Sequence, residues 1–163
     1  MPINFIGAAT AMGHREIARE LALACIYQFQ AIRGPGNGIG NGSCCASVKG
    51  IAPDNDGLPV YRFGQSQAHL LDNEAFQAGG FFNPAQHAER QAHHVGQQIG
   101  GYESHLFVEL PPCGNAFHGC YQWCMNTIPN VYVWYLYNNT AQMVAAHAGG
   151  IQFEFAALNQ AIP

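Results

Sequence analysis

Apolar and polar residues follow two different periods along the chain, and each change of period marks a new element. From about Gly13 to Ile32, Ile17, Leu21, Ala24, Gln28 and Ile32 recur at a three-to-four spacing with Ala18, Ala22, Cys25 and Phe29 beside them. That spacing predicts a helix with one buried side. Gly34-Pro35-Gly36 ends it, and 33–43 (RGPGNGIGNGS) reads as loop. The glycines there make no dinucleotide fingerprint, because no strand precedes them and no helix follows. Cys44 to Ile51, with Ala46 and Val48 on one face, and Val60 to Phe63 both have strand character. Pro53-Asp54-Asn55-Asp56-Gly57 between them predicts a hairpin. Residues 64–82 carry the weakest pattern: Leu70-Leu71 and Phe76 suggest a short helix, broken by Gly79-Gly80.

The second half is sharper. Asn83 can cap a helix, Pro84 suits the first helical position, and Gln86 sits where a capping box wants Glu or Gln. Ala88, Ala92, Val95 and Ile99 form the apolar stripe that follows, and Gly100-Gly101 stops it. Leu106, Val108 and Leu110 alternate as a strand ending at Pro111-Pro112. A helix is predicted over about Phe117 to Thr127, with Tyr121, Cys124 and Ile128 on one side, and Pro129 halts it. Val131 to Tyr137 is continuously apolar, as in a strand buried on both faces. Thr140 to Ala148 reads as a short helix closed by Gly149-Gly150, and Ile151, Phe153 and Phe155 alternate as a last strand. The predicted order α-β-β-α-β-α-β-α-β is a three-layer α/β sandwich around a five-stranded mixed sheet. A helix between the final two strands suits a parallel pair rather than a tight hairpin.

Composition narrows the class. The chain has 163 residues, 48% of them hydrophobic, which suits one packed domain spanning 1–163. Only 10% are charged, against about 25% in typical domains. The net charge of −4 argues against a protein that wraps long nucleic acid through many phosphate contacts, though not against a short local groove. No stretch approaches the roughly 20 apolar residues of a membrane span, and the N-terminus lacks the pattern of a signal peptide. Six cysteines are present. A chain of this length does not need disulfides, and two of the six lie in a metal-like pattern, which favours a reducing compartment.

That pattern is His87-Ala88-Glu89, followed by Pro112-Cys113 and Cys120. One imidazole and two thiolates can hold Zn²⁺ with a fourth position open to water, leaving Glu89 as a carboxylate with no ligand role. His87 is expected at the end of the first helical turn, Cys113 just after a strand and Cys120 near the start of the next helix. Two helix N-termini then point at one spot, a setting that stabilises thiolates and a developing oxyanion. Cys124 rivals Cys120, lying one turn later, but it also falls on the apolar stripe with Tyr121 and Ile128. A closed structural zinc site would need His118 or Cys124 as fourth ligand and would leave Glu89 without a task. His93 and His94 lie nearly two turns beyond His87, too far to share its metal. His14, His69, His105 and His147 are isolated and read as core or solvated residues.

The HAE…PC…C order resembles the cytidine deaminase-like superfamily, which includes nucleoside deaminases, tRNA adenosine deaminases, AID/APOBEC-type cytosine deaminases and bacterial deaminase toxins. The resemblance implies a Zn²⁺ cofactor on His87, Cys113 and Cys120, with Glu89 as the catalytic proton carrier. Cys113-x6-Cys120 departs from the usual two-residue gap; Phe117-His118-Gly119-Cys120 looks like a further widening of the loop that some AID/APOBEC-type proteins extend. A parallel final pair resembles the nucleic-acid and toxin branch, where free-cytidine deaminases have an antiparallel turn. The compact, Gly-rich, weakly charged chain is similar to toxin domains of bacterial antagonism systems. The implied function is deamination of cytosine to uracil in DNA, single-stranded or locally opened, in the cytoplasm of a target cell after export within a larger toxin. An immunity protein is the implied partner, and no membrane is. RNA or free nucleotides are the alternative substrates. Asn83 is then placed to reach the target base or sugar. Tyr137, before a short Asn138-Asn139 loop, is placed to stack on a neighbouring base. A backbone N–H at Ala88 or Cys113 can hold the ring carbonyl.

Overall fold

The computed structural model describes residues 4–7, 14–31, 33, 42–51, 58–66, 87–114, 119–128 and 131–161. In chain order they form β1 (Asn4–Gly7), α1 (Arg15–Gln30), β2 (Cys45–Ile51), β3 (Pro59–Gln65), α2 (Ala88–Gln98), β4 (His105–Val108), α3 (Cys120–Thr127), β5 (Tyr132–Tyr135), α4 (Thr140–Gly149) and α5 (Ile151–Ala161). This is an α/β fold with a mixed sheet ordered β1-β5-β4-β2-β3. β2 runs antiparallel to β3 and β4, while the last two strands, β4 and β5, are parallel. Asn83, His118, the turn at 53–57 and the short helix expected near Leu70 and Phe76 lie outside the described residues.

Period-two alternation buries the sheet on both sides. Cys45, Phe107 and Trp134 point to one face, where Leu21, Cys25 and Phe29 of α1 and Leu158 of α5 meet them. Ala46, Val48, Leu106, Val108 and Val133 point to the other, against Ala88 and Ala92 of α2 and Cys124 of α3. Ser47 is a polar residue in the first layer; its hydroxyl donates to the Leu21 carbonyl at 2.7 Å, so its burial leaves no unmet donor.

Three predicted features are corrected. Residues 151–155 are helix, not a fifth strand, so they cannot be the parallel partner of 131–137. Ile151, Phe155 and Leu158 all pack on the α1 side, and their i, i+4, i+7 spacing is helical; the strand-like alternation arises because Phe153 lies exposed on the opposite side. Asn4–Gly7 takes the place beside β5 instead, pairing with it in parallel. Secondly, β5 stops at Tyr135. The N–H groups of Leu136 and Tyr137 both donate to the Glu109 carbonyl, at 3.3 and 2.9 Å, and this convergence ends the regular ladder. Thirdly, His87 is not inside a helical turn. It caps α2 with extended backbone (φ −76°, ψ 141°), and its carbonyl accepts from Arg90 and Gln91 at 3.1 Å each.

Candidate metal centre

The antiparallel register sets the start of β2 beside the ends of β3 and β4, with Cys45 opposite Gln65 and Ala46 opposite Val108. The N-termini of α2 and α3 arrive at this same edge. Two glycines make the approach possible. A Cβ on Gly64 would overlap the Ala88 carbonyl oxygen and lie 2.6 Å from the Ala92 nitrogen, so a bare backbone lets α2 rest directly on β3. Gly119 precedes α3 in a left-handed conformation, φ 64°, turning the chain so that Cys120 becomes the first helical residue.

His87, Cys113 and Cys120 converge there, their ligating atoms all within 4.8 Å of one another. The His87 Nδ1 lies 3.7 Å from the Cys113 sulfur and 3.2 Å from the Cys120 sulfur. Zn–S and Zn–N bonds of about 2.3 and 2.0–2.1 Å at tetrahedral angles put N and S about 3.6 Å apart. The three donors therefore fit zinc with one position left open. Two soft thiols and an imidazole also suit zinc better than a hard cation. The Cys120 thiol is held well above its ordinary pKa, chiefly by burial and then by the neighbouring Glu89 charge. A bound cation reverses that preference by stabilising the thiolate. Arg90 acts in the same direction: its Nε donates to the Cys120 sulfur at 3.4 Å, and its guanidinium lies 4.7 Å from the centre of the Trp123 ring.

A cavity of about 190 Å³ opens onto these donors, walled by Cys44, Ser66, Ala88, Glu89, Leu110 and Cys113 among others. It is below the roughly 300–1,000 Å³ of drug-sized sites, so it suits one small ring. Glu89, the second residue of α2, is only 4% exposed. Burial pushes its carboxyl above the usual range, opposed by its own backbone N–H, Cys120 and Arg90. Ala88 lines the same cavity. Cys124 is fully buried in the core with Ile128 and Val133 and does not join the donor cluster.

Tyr137 departs from its expected role. It is 4% exposed, with its ring edge-on to His147 and 6.0 Å away, so it has no free face for a base. The end of β5 turns inward because Glu109 captures its backbone. A larger cavity of about 680 Å³ lies between the end of β5, α4 and α5, but among the described residues no His, Cys or carboxylate lines it. The candidate donors border the smaller one.

A second cluster was not foreseen. Glu109, His147 and Glu154 are buried together, with Arg33 on Glu109 at 2.9 Å. His147 Nε2 is 2.5 Å from Glu109 Oε2 and 3.5 Å from Glu154 Oε1. Its sequence signal was faint: a lone Glu inside each of two apolar stretches, FVELPP and FEFAAL. Of the remaining histidines, His105 accepts from the Trp134 indole N–H at 2.9 Å, and burial brings its pKa down to about 4. His93 is lowered likewise to about 4 and bonds the Tyr102 hydroxyl at 2.9 Å. No family model, curated protein or solved structure matches the chain.

Proposed function

We propose that this chain is a zinc-dependent deaminase with a cytidine deaminase-like fold, converting cytosine to uracil in DNA. The observation that carries the reading is Glu89: a buried carboxylate on the wall of a small cavity, beside an imidazole and two thiols spaced for zinc and taking no ligand position itself. A structural zinc site has no use for that arrangement.

Zinc held by His87, Cys113 and Cys120 would supply Lewis acidity, bringing a water in the open position towards a pKa of about 7. Glu89 accepts the proton of the attacking water. It passes that proton to the ring nitrogen and then carries the second, taken from the newly added hydroxyl, to the leaving amine, so that cytosine and water become uracil and ammonia. A carboxyl held above its usual range is suited to both directions of transfer. The N-terminal edge of α2 at Ala88, on the cavity wall, offers a backbone N–H to the ring carbonyl. Leu110 and Pro111 add apolar surface to the cavity wall. The small volume requires a base outside any stack, so a DNA duplex must be opened first.

DNA as substrate, a toxin setting and an immunity partner follow from the sequence resemblance. The net charge of −4 favours a second reading, a deaminase of RNA or free nucleotides. The deciding experiment offers single- and double-stranded DNA, RNA and free cytidine nucleotides side by side and measures uracil and ammonia. Uracil in DNA, abolished in Glu89→Ala, is the expected result. Conversion confined to RNA or free nucleotide selects the second reading, and zinc bound with no ammonia from any substrate defeats both.

A further inference from the structure

We propose that Glu109 is the positioning residue of the metal pocket, holding its two walls in fixed relation. The inference rests on the zinc reading above for its functional meaning, and on the hydrogen bonds of Glu109 for its geometry. Oε1 accepts from the Cys45 N–H at 2.8 Å and from Arg33 at 2.9 Å. Oε2 accepts from His147 Nε2 at 2.5 Å. The Glu109 N–H donates to the Cys45 carbonyl at 2.9 Å, and its own carbonyl takes the N–H groups of Leu136 and Tyr137. One residue thus joins the start of β2, the end of β4, the end of β5 and helix α4.

The pocket hangs from this junction on both sides. Cys44, next to Cys45, forms one wall; Leu110, Pro111 and Cys113, directly after Glu109, form the other. Arg33 strengthens the tie on the first side by also donating to the Ser43 carbonyl at 3.0 Å and the Cys45 sulfur at 3.1 Å. The carboxylate is 4% exposed, where an unpartnered charge is very costly, and both its oxygens are occupied. A metal is not the natural occupant of this cluster. Neighbouring ligands on one ion stand about 3 Å or more apart, whereas His147 Nε2 and Glu109 Oε2, 2.5 Å apart, are in direct hydrogen-bonded contact with no room for an ion between them. The Glu154 side chain, by contrast, contacts His147, and among the described residues no hydrogen bond ties it to a pocket wall.

The test uses the full chain with Co²⁺ in place of zinc, and compares Glu109→Gln with Glu154→Gln. Circular dichroism confirms that each is folded. Glu109→Gln should release cobalt about 10-fold faster, or more, with a shifted ligand-field spectrum, and Glu154→Gln should match the parent in both. In the chelated chain, alkylation mapped by mass should show Cys44 and Cys113 modified about 10-fold faster in Glu109→Gln alone, as expected of an opened wall. A folded Glu109→Gln with parental cobalt release and thiol rates overturns the proposal. So does a Glu154→Gln variant that changes as much, or a second metal per chain that disappears with Glu109→Gln. If the parent takes up no cobalt, the zinc reading falls, and the alkylation rates still decide the role of Glu109. Should Glu109→Gln not fold, His147→Gln, which spares the Arg33 and Cys45 bonds, must show the same changes in smaller size; parental behaviour there also overturns it.

Discussion

Two clusters of three possible ligands lie near one another in this fold, and they differ in almost everything except proximity. His87, Cys113 and Cys120 face a cavity, with two thiols whose protons are readily displaced by a cation. Glu109, His147 and Glu154 are sealed in the interior, and Glu109 is already held by Arg33 and a backbone N–H. Closeness of donor atoms therefore does not make a metal centre. Access, donor softness and the absence of competing partners decide it, and on each of these the two clusters stand on opposite sides.

The contrast can be broken most decisively at the ligands. His87→Ala or Cys113→Ala should abolish bound zinc and all deamination, whereas Glu154→Gln should leave about one zinc per chain. Elemental analysis of the three proteins checks this, and zinc lost from Glu154→Gln would move the metal to the second cluster. Next in size is Glu89→Ala, expected to retain zinc and fold while losing at least the 10²–10⁴-fold typical of a general acid–base group. Near-parental uracil formation would refute the assignment.

A smaller effect is expected from Gly64→Ala. The new methyl group meets the α2 backbone, and overpacking of this kind typically costs about 1–3 kcal/mol. Chemical denaturation should show that loss, together with weaker zinc binding because α2 carries His87. Unchanged stability would mean that α2 does not rest on β3 as described.

The mildest difference is one of pH. Burial, with Glu109 adding to it against His147 and Arg33, lifts Glu154 to about 7. The folded chain then binds this proton more tightly than the unfolded chain does. The resulting stabilisation is complete below the ordinary value of 4.5 and is lost as pH rises through about 7. Zinc binding has the opposite slope, since its thiols must lose protons. Buried His93 and His105, each lowered to about 4, add stability as pH rises and do so equally in the parent and in Glu154→Gln. The Glu154 share is therefore read as a difference: between about pH 4.5 and 8 the denaturant midpoint of the zinc-free parent should fall relative to that of Glu154→Gln. Equal slopes would remove Glu154 as the cause.

What the sequence disclosed follows from the range of the interactions involved. Helix α1 was legible because Leu21, Cys25 and Phe29 repeat within one local stripe. Strands β2 to β5 were legible for the same reason, as was the HAE and PC…C set, each part of which lies on its own element. The α5 helix was misread because three residues, Ile151, Phe153 and Phe155, satisfy period two, and only Leu158 reveals the longer period. The Glu109 cluster was beyond reach: Arg33, Glu109, His147 and Glu154 share no local pattern, and only the paired strands and the α4–α5 bend bring them together. Tyr137 was misplaced by the same residue, since its inward turn depends on a bond to the Glu109 carbonyl.

The two tryptophans divide the molecule into separately observable halves. Trp123 lies three residues beyond Cys120, under the Arg90 guanidinium and edge-on to His93 at 5.4 Å. Trp134 is wholly buried on the other face of the sheet, its indole N–H fixed on His105. Their fluorescence consequently separates by environment: Trp134 emits from a dry interior until the whole domain opens, while Trp123 sits where cation and thiolate charge change. With each replaced in turn by phenylalanine, a single emission spectrum follows either occupancy of the pocket or unfolding of the core, without any external label.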